Sequence, residues 1–213
     1  MRLKKVKDAG LKIEKSEYLI KNPKDYKGKY EKLFDNKNEI RIEVGMGKGN
    51  FIINNALKYP NINFIGIEKY DSVLVRAVEK LDKLEIKIPN LKLICMDASE
   101  IDEVFDKEID LLYLNFSDPW PKARHENRRL TSKVFLKKYD NLFKNSKHII
   151  LKTDNRKFFE YSITSFNEYG YQIRDISLNL EEDKDLLNIK TEYEEKFSAK
   201  GMPIYKVEVL REK

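Results

Sequence analysis

From residue 39 onward, short runs of apolar and β-branched residues alternate with stretches whose apolar positions recur every three or four residues. The runs are "EIRIEVG" (39–45), "INFIGIE" (62–68), "LKLICMD" (91–97), "IDLLYLN" (109–115) and "HIILKTD" (148–154). Each is short, rich in strand-forming side chains and closed by a glycine or polar residue, which predicts a strand. Between the second and third runs, Leu74, Ala77, Val78 and Leu81 fall at i, i+3, i+4 and i+7, so one apolar stripe packs a helix on the sheet. After the first run, Phe51, an outward Asn55 and the i,i+4 pairs Ile52–Ala56 and Ile53–Leu57 predict an earlier helix. Phe135, Tyr139, Leu142 and Phe143 predict a later one. Strand and helix in alternation mean βαβ units: an α/β fold with a mostly parallel sheet and helices on both faces. The style changes near the end, where "YQIRDISLNL" and "MPIYKVEVL" read as two strands with no helix between them. They are predicted to pair antiparallel at the sheet's end, giving about seven strands.

Ligands of open parallel sheets bind beyond the carboxyl ends of the strands, and unusual residues collect there in this chain. Glu43 precedes the turn Gly45-Met46-Gly47-Lys48-Gly49; Glu68 ends the second run, Asp97 the third, and Asp118 and Asp154 follow the fourth and fifth. Each has an ordinary reading as well. Glu68 opens the next helix, Asp97 and Ser99 cap "EIDEVF", and Asp154 is placed to cap "NRKFFEYSI". Five acids on one edge serving only as caps is the weaker reading. The third glycine comes one residue early for dinucleotide spacing. Glu43 would also repel a pyrophosphate, whereas a carboxylate there suits a ligand with a positive centre. S-adenosylmethionine carries a sulfonium and an ammonium. Glu68 then stands where an acid accepts hydrogen bonds from ribose hydroxyls, and Asp97 where one meets the adenine amino group.

Length and charge narrow the partners. The 213 residues suit one α/β domain, 39–213, preceded by a basic extension, 1–38. Forty-two lysines and arginines oppose 36 acids, and much of the excess sits in "MRLKKVK" and in Lys122, Arg124, Arg128, Arg129 and Lys133. The stretch 181–195 is acidic, so a polyanion would meet two basic patches and avoid a third surface. Cys95, alone in the apolar "LKLICM", is expected to be a buried structural thiol. Two histidines and one cysteine make no zinc spacing, and no metal site is expected. With no apolar run of membrane length and no signal-peptide pattern, the chain is expected to be soluble and cytoplasmic, with no membrane partner. Monomer and homodimer both remain open.

The oddest stretch is "NFSDPWPKARHENRR" (115–129). Pro119 and Pro121 restrict the residues before them to extended conformations, which predicts a stiff loop that aims Asp118. Trp120 is read as packing rather than base stacking. The cations at 122–133, with His125 and against the single acid Glu126, are expected to form a surface for the phosphates of a polyanion. Further on, "TEYE" matches a capping box, with Thr191 as cap and Glu194 answering it, a role compatible with ligand contact.

Taken together, "IEVGMGKGNF", "FIGIEKY", "NFSDPWPKARHENRRL", "LKTDNR" and "TEYEEKFSAKG" closely resemble the bacterial tRNA (guanine-N7-)-methyltransferases, over nearly everything from residue 39 onward. The resemblance implies the Rossmann-like class I methyltransferase fold, S-adenosylmethionine as methyl donor, and methylation of guanine 46 in the tRNA variable loop. It also implies cofactor contacts at Glu43, Glu68, Asp97 and Asp118 beside Gly45, Gly47 and Gly49, with Asp118 catalytic. Lys122, Asp154, Thr191, Glu192, Tyr193 and Glu194 would hold the substrate, and Arg124, His125, Glu126, Asn127, Arg128 and Arg129 would touch RNA. Met46 and Ala123 depart from the pattern without removing a chemical group. Two other readings of the residues stay open: a methyltransferase acting on an exocyclic amine of DNA, and an RNA-binding module without activity.

Overall fold

In the computed structural model, which describes residues 6–183 and 188–212, seven strands form one sheet. They are β1 (Ile40–Val44), β2 (Asn63–Glu68), β3 (Leu91–Cys95), β4 (Leu111–Asn115), β5 (Lys147–Thr153), β6 (Gln172–Ser177) and β7 (Tyr205–Arg211). Their order is β3-β2-β1-β4-β5-β7-β6. The first five strands run parallel, and β7 enters antiparallel between β5 and β6. The chain leaves β3 at one edge and returns to β4, beside β1, so the order reverses between β1 and β4. A crevice opens there at the carboxyl ends.

Period-two alternation divides the core between two faces. Ile42, Val44, Ile65, Ile67, Leu112, Leu114, Ile149 and Leu151 share one buried cluster with helices α4 (Ile101–Val104), α5 (Lys133–Tyr139) and α6 (Arg156–Glu168). Phe64, Leu91 and Leu93 pack instead with α1 (Ala9–Glu14), α2 (Asn50–Lys58) and α3 (Asp71–Leu81), while Leu111 and Tyr113 meet Phe51 of α2. Helices therefore cover both faces. By the same alternation, Glu68, Glu43, Asn115 and Lys152 lie on the second face, across four neighbouring strands β2, β1, β4 and β5.

Several local expectations are corrected. Asn55 points inward, because it follows the buried Phe51 by one helical turn; its Nδ2 donates to the Phe51 carbonyl at 2.8 Å, and Leu57 on the opposite side is exposed. Helix α5 stops at Tyr139, and Leu142 and Phe143 are buried in the turn beyond it, where the Leu142 carbonyl accepts from Ile109 N–H at 2.9 Å. The stretch 26–34 holds the end of one 3-10 turn (Pro23–Tyr26) and a second (Tyr30–Leu33), separated at the left-handed Gly28. A helix does stand between the last two strands: α7 (Glu192–Ser198), opened by the Thr191–Glu194 capping box. Cys95 is exposed, since it ends β3 beyond the helices that cover Leu91 and Leu93.

The N-terminal stretch packs as part of this body. Ala9 and Ile13 join the α2–α3 cluster, and Tyr18 to Ile20 run along β3, with Ile20 N–H to Leu93 O at 2.9 Å and Leu93 N–H to Tyr18 O at 2.8 Å. Those bonds cover an open sheet edge. Residues 1–5 of the basic run "MRLKKVK" lie outside the described residues.

Candidate cofactor and RNA site

The turn after β1 is shaped by its glycines. Gly45 and Gly47 have φ of 78° and 59°, and a Cβ on either would meet no atom within 4 Å, so each leaves an open surface that a ligand can approach. Gly49 differs: a Cβ there would lie 2.9 Å from Ala77 Cβ, so it permits α2 to sit against α3. Met46 is buried, its sulfur seated on Gly66 of β2, which explains how this turn accepts a large apolar residue.

Two buried acids flank the turn. Glu68 takes the Gly47 N–H at 3.1 Å and the Tyr70 N–H at 3.0 Å, and burial raises its pKa. Glu43 is more enclosed, and burial pushes it up to about 7 against the lowering effect of Asn115 and Lys152. Its Oε1 accepts from Asn115 Nδ2 at 2.8 Å, but Glu43 Oε2 and Asn115 Oδ1 are both buried without a partner. Two acceptors facing no donor beside an open glycine turn fit a ligand that brings N–H groups and positive charge.

The remaining acids separate by partner. Asp97 caps the next turn, taking Ser99 N–H at 2.8 Å, and pairs with Lys69 at 2.6 Å; Lys69 chiefly holds it down to about 2. Asp154 does not cap α6. Asn155 does, its Oδ1 accepting from Phe158 N–H at 2.9 Å, because its side chain sits three residues before that free donor. Asp154 is left half-buried, and Asp118 exposed, neither with a side-chain hydrogen bond among the described residues. Asp118 lies close enough to Glu68 for its charge to add to the upward pull on that acid.

The loop after β4 is not extended throughout. Phe116 and Trp120 have φ of 51° and 41°, left-handed values that cost about 1–3 kcal/mol each and need outside support. For Trp120 that support is Arg129, whose guanidinium donates to the Pro119 and Trp120 carbonyls at 3.1 Å each and lies 4.1 Å from the Tyr161 ring of α6. Arg129 thus faces inward as a clamp. Lys122 is exposed just before a 3-10 segment (Ala123–Arg128) on which Arg124, Glu126, Asn127 and Arg128 are exposed too, while half-buried His125 meets the edge of Trp120 at 5.5 Å. Arg128 lies over Trp120 at 4.9 Å, so the tryptophan packs against the basic segment. Lys133 pairs with Glu168 at 2.8 Å.

Helix α7 closes the other side, and each member of "TEYE" has a distinct attachment. Thr191 caps the helix. Glu192 pairs with Lys48 of the glycine turn at 3.0 Å and Lys80 of α3 at 2.7 Å. Tyr193 stacks on Phe116 at 5.8 Å. Glu194 is buried and meets Lys152 of β5 at 3.2 Å, with Asn188 and Ile189 O also on that lysine. Lys152, Asn115 and Phe116 were not singled out in the sequence. A lysine at an otherwise apolar position of a central strand was the available signal, since such a charge needs a buried counterion.

The methyltransferase family described as "Putative methyltransferase" matches residues 37–207. A tRNA (guanine-N(7)-)-methyltransferase of Bacillus licheniformis is 53% identical over 92% of this chain and 91% of its own. One of the same name from Bacillus subtilis is 52% identical over 92% of each. The chain belongs to the tRNA (guanine-N7-)-methyltransferases. Members of that family are methyltransferases that draw on S-adenosylmethionine, and the unpartnered acceptors and open glycines described above fit that donor. The fold agrees: a solved antibiotic-related methyltransferase superposes with a TM-score of 0.64 over 89% of this chain and 94% of its own, at 19% identity.

Proposed function

We propose that this chain transfers a methyl group to N7 of guanine 46 in the variable loop of tRNA, in the cytoplasm, as a monomer or homodimer. The observation that carries the reading is Asp118, an exposed carboxylate with no side-chain hydrogen bond among the described residues, beside Glu68 at the reversal of strand order and flanked by exposed cations. The names of the relatives support the substrate.

S-adenosylmethionine, when bound, supplies an electrophilic methyl group on a sulfonium. Glu43, Asn115 and the Gly45–Gly49 turn would hold its polar end, Glu68 its ribose and Asp97 its adenine. Guanine N7 has a lone pair and no proton to lose, so no residue need act as a base before attack. What the chain supplies is alignment and charge. Positive charge develops on the purine, and a carboxylate nearer to it in the transition state than in the ground state lowers the barrier. Asp118 takes that role by accepting from the guanine N1–H or amino edge, and Asp154, free of capping duty, completes the grip with the wall formed by Thr191, Glu192, Tyr193 and Glu194. Lys122, Arg124 and Arg128 meet phosphates, with His125, Glu126 and Asn127 on the same segment.

Transfer of labelled methyl to tRNA followed by nucleoside analysis tests the reading. N7-methylguanosine is expected. Methylated adenine or cytosine, or RNA binding without transfer, would overturn it.

A further inference from the structure

Three rings form a row beside the β4 loop. Phe116 and Tyr193 have centroids 5.8 Å apart with planes 25° from parallel, and Tyr193 and Phe197 follow at 5.7 Å and 16°. The middle ring is 53% exposed, while the other two are half-buried. Around Tyr193 the other members of its motif are tied to the protein, through the cap, the Lys48 and Lys80 pairs and the buried Lys152 pair. Tyr193 has no side-chain hydrogen bond among the described residues, yet the helix is fixed so that its ring stays in place against solvent.

The row also has a direction. Phe116 lies two residues before Asp118 and holds the left-handed φ of 51°, so the backbone is turned out of the strand where the loop begins. At the far end, Lys200 lies 5.7 Å from the Phe197 ring, a cation that can meet a phosphate. An aromatic surface running from a carboxylate to a cation matches a nucleotide, with its base at one end and its backbone at the other.

The chemistry of N7 asks for such a surface. The N7 lone pair lies in the plane of the purine, so the methyl group must arrive in that plane. Carboxylates on the Watson–Crick edge can resist rotation within the plane, but they do not stop the base from tilting out of it. Contact on the ring faces does. We propose that the Phe116–Tyr193–Phe197 row is the stacking seat of the target guanine and sets the tilt of its ring. This rests on the guanine-N7 reading above.

The test uses the full chain with Tyr193→Phe, Tyr193→Ala and Tyr193→Leu, the last retaining apolar packing between Phe116 and Phe197 without a ring. A tRNA carrying 2-aminopurine at the target position reports stacking through fluorescence quenching, measured beside KM and kcat on unmodified tRNA and cofactor affinity without RNA. Loss of one base–aromatic stack should raise KM for tRNA roughly tenfold in the Ala and Leu variants and relieve the quenching. The Phe variant should behave as the parent, and cofactor affinity should stay within about twofold in all three. Unaltered quenching and KM in the Leu variant overturn the seat. So does a loss of cofactor affinity that parallels the rise in KM, because the ring then only holds α7 in place. If the parent makes no N7-methylguanosine, the reading beneath fails; if it makes it and the quenching does not respond, the seat alone fails.

Discussion

Replacing Glu43 by glutamine should make the cofactor-free protein more stable above neutral pH. The carboxyl titrates at about 7 in the folded chain against 4.5 when open to water, chiefly because burial disfavours its charge. At 1.36 kcal/mol per pH unit, the difference is worth about 3 kcal/mol. A raised folded pKa gives stability that is whole below about pH 4.5 and lost as pH rises through about 7. Glutamine keeps the shape and an acceptor for Asn115 Nδ2 while removing that titration. Its amide also replaces the partnerless Glu43 Oε2 with a donor, leaving only Asn115 Oδ1 of the two acceptors. The variant and its parent should therefore melt together near pH 4, differ by about 1 kcal/mol at pH 5 and approach the full difference by pH 8. In a domain of this size about 3 kcal/mol corresponds to roughly 6–12 °C. Melting curves at pH 4, 5, 6, 7 and 8 without cofactor give the comparison, and cofactor titration gives its converse, since the variant should bind S-adenosylmethionine less well. The full gap already present at pH 4, or none at pH 8, refutes the argument that an uncompensated charge is held there for a cationic ligand.

Lys152→Met removes the cation from buried Glu194 and should cost about 3–5 kcal/mol in a denaturant melt, with Lys152→Met plus Glu194→Gln recovering part of it; additive losses would deny the pair. Asn155→Ala should cost about 1 kcal/mol as a lost helix cap, whereas Asp154→Ala should leave the melt in place and lower methyl transfer; the reverse pattern would return the cap to Asp154. Arg128→Ala should flatten the salt dependence of tRNA binding, and Arg129→Ala should instead lower kcat by freeing the Asp118 loop, as parallel binding and turnover assays would show. Asp118→Asn should slow single-turnover methylation about 10²–10³-fold with a smaller change in binding.

The fold was legible because its determinants are short in range. Alternation along 39–45, 62–68, 91–97, 109–115 and 148–154 places each of the first five strands to within two residues, and the stripe from Leu74 to Leu81 is buried throughout. Local pattern failed where a distant partner decides. Pro119 and Pro121 argued for extension at their neighbours, yet Trp120 is left-handed because Arg129, nine residues on, holds its carbonyl. Leu142 and Phe143 continued a helical period past Tyr139, but backbone bonds from residues 107–109 to Asn141 and Leu142 draw that segment into a turn. Asp154 and Asn155 are both good caps on paper, and only the distance to Phe158 N–H separates them.

The candidate site divides the same way. Glu43, Glu68, Asp97 and Asp118 could be found by asking which acids end strands, because the carboxyl edge of a parallel sheet is fixed by topology. Lys152 could not be found so, although it sits in register with Asn115 and joins β5 to a helix that begins forty residues later. Its burial lowers its own pKa, and Glu194 opposes that shift; its charge in turn lowers Glu43. One cation therefore answers two acids from opposite sides of the site. Glu43 remains far above its ordinary value despite that lysine because burial outweighs what Asn115 and Lys152 together offer, while Glu194 holds the direct contact with the cation. A capping motif at 191–194 shows what a helix needs to begin, but only the strand beneath it shows where that helix must lie.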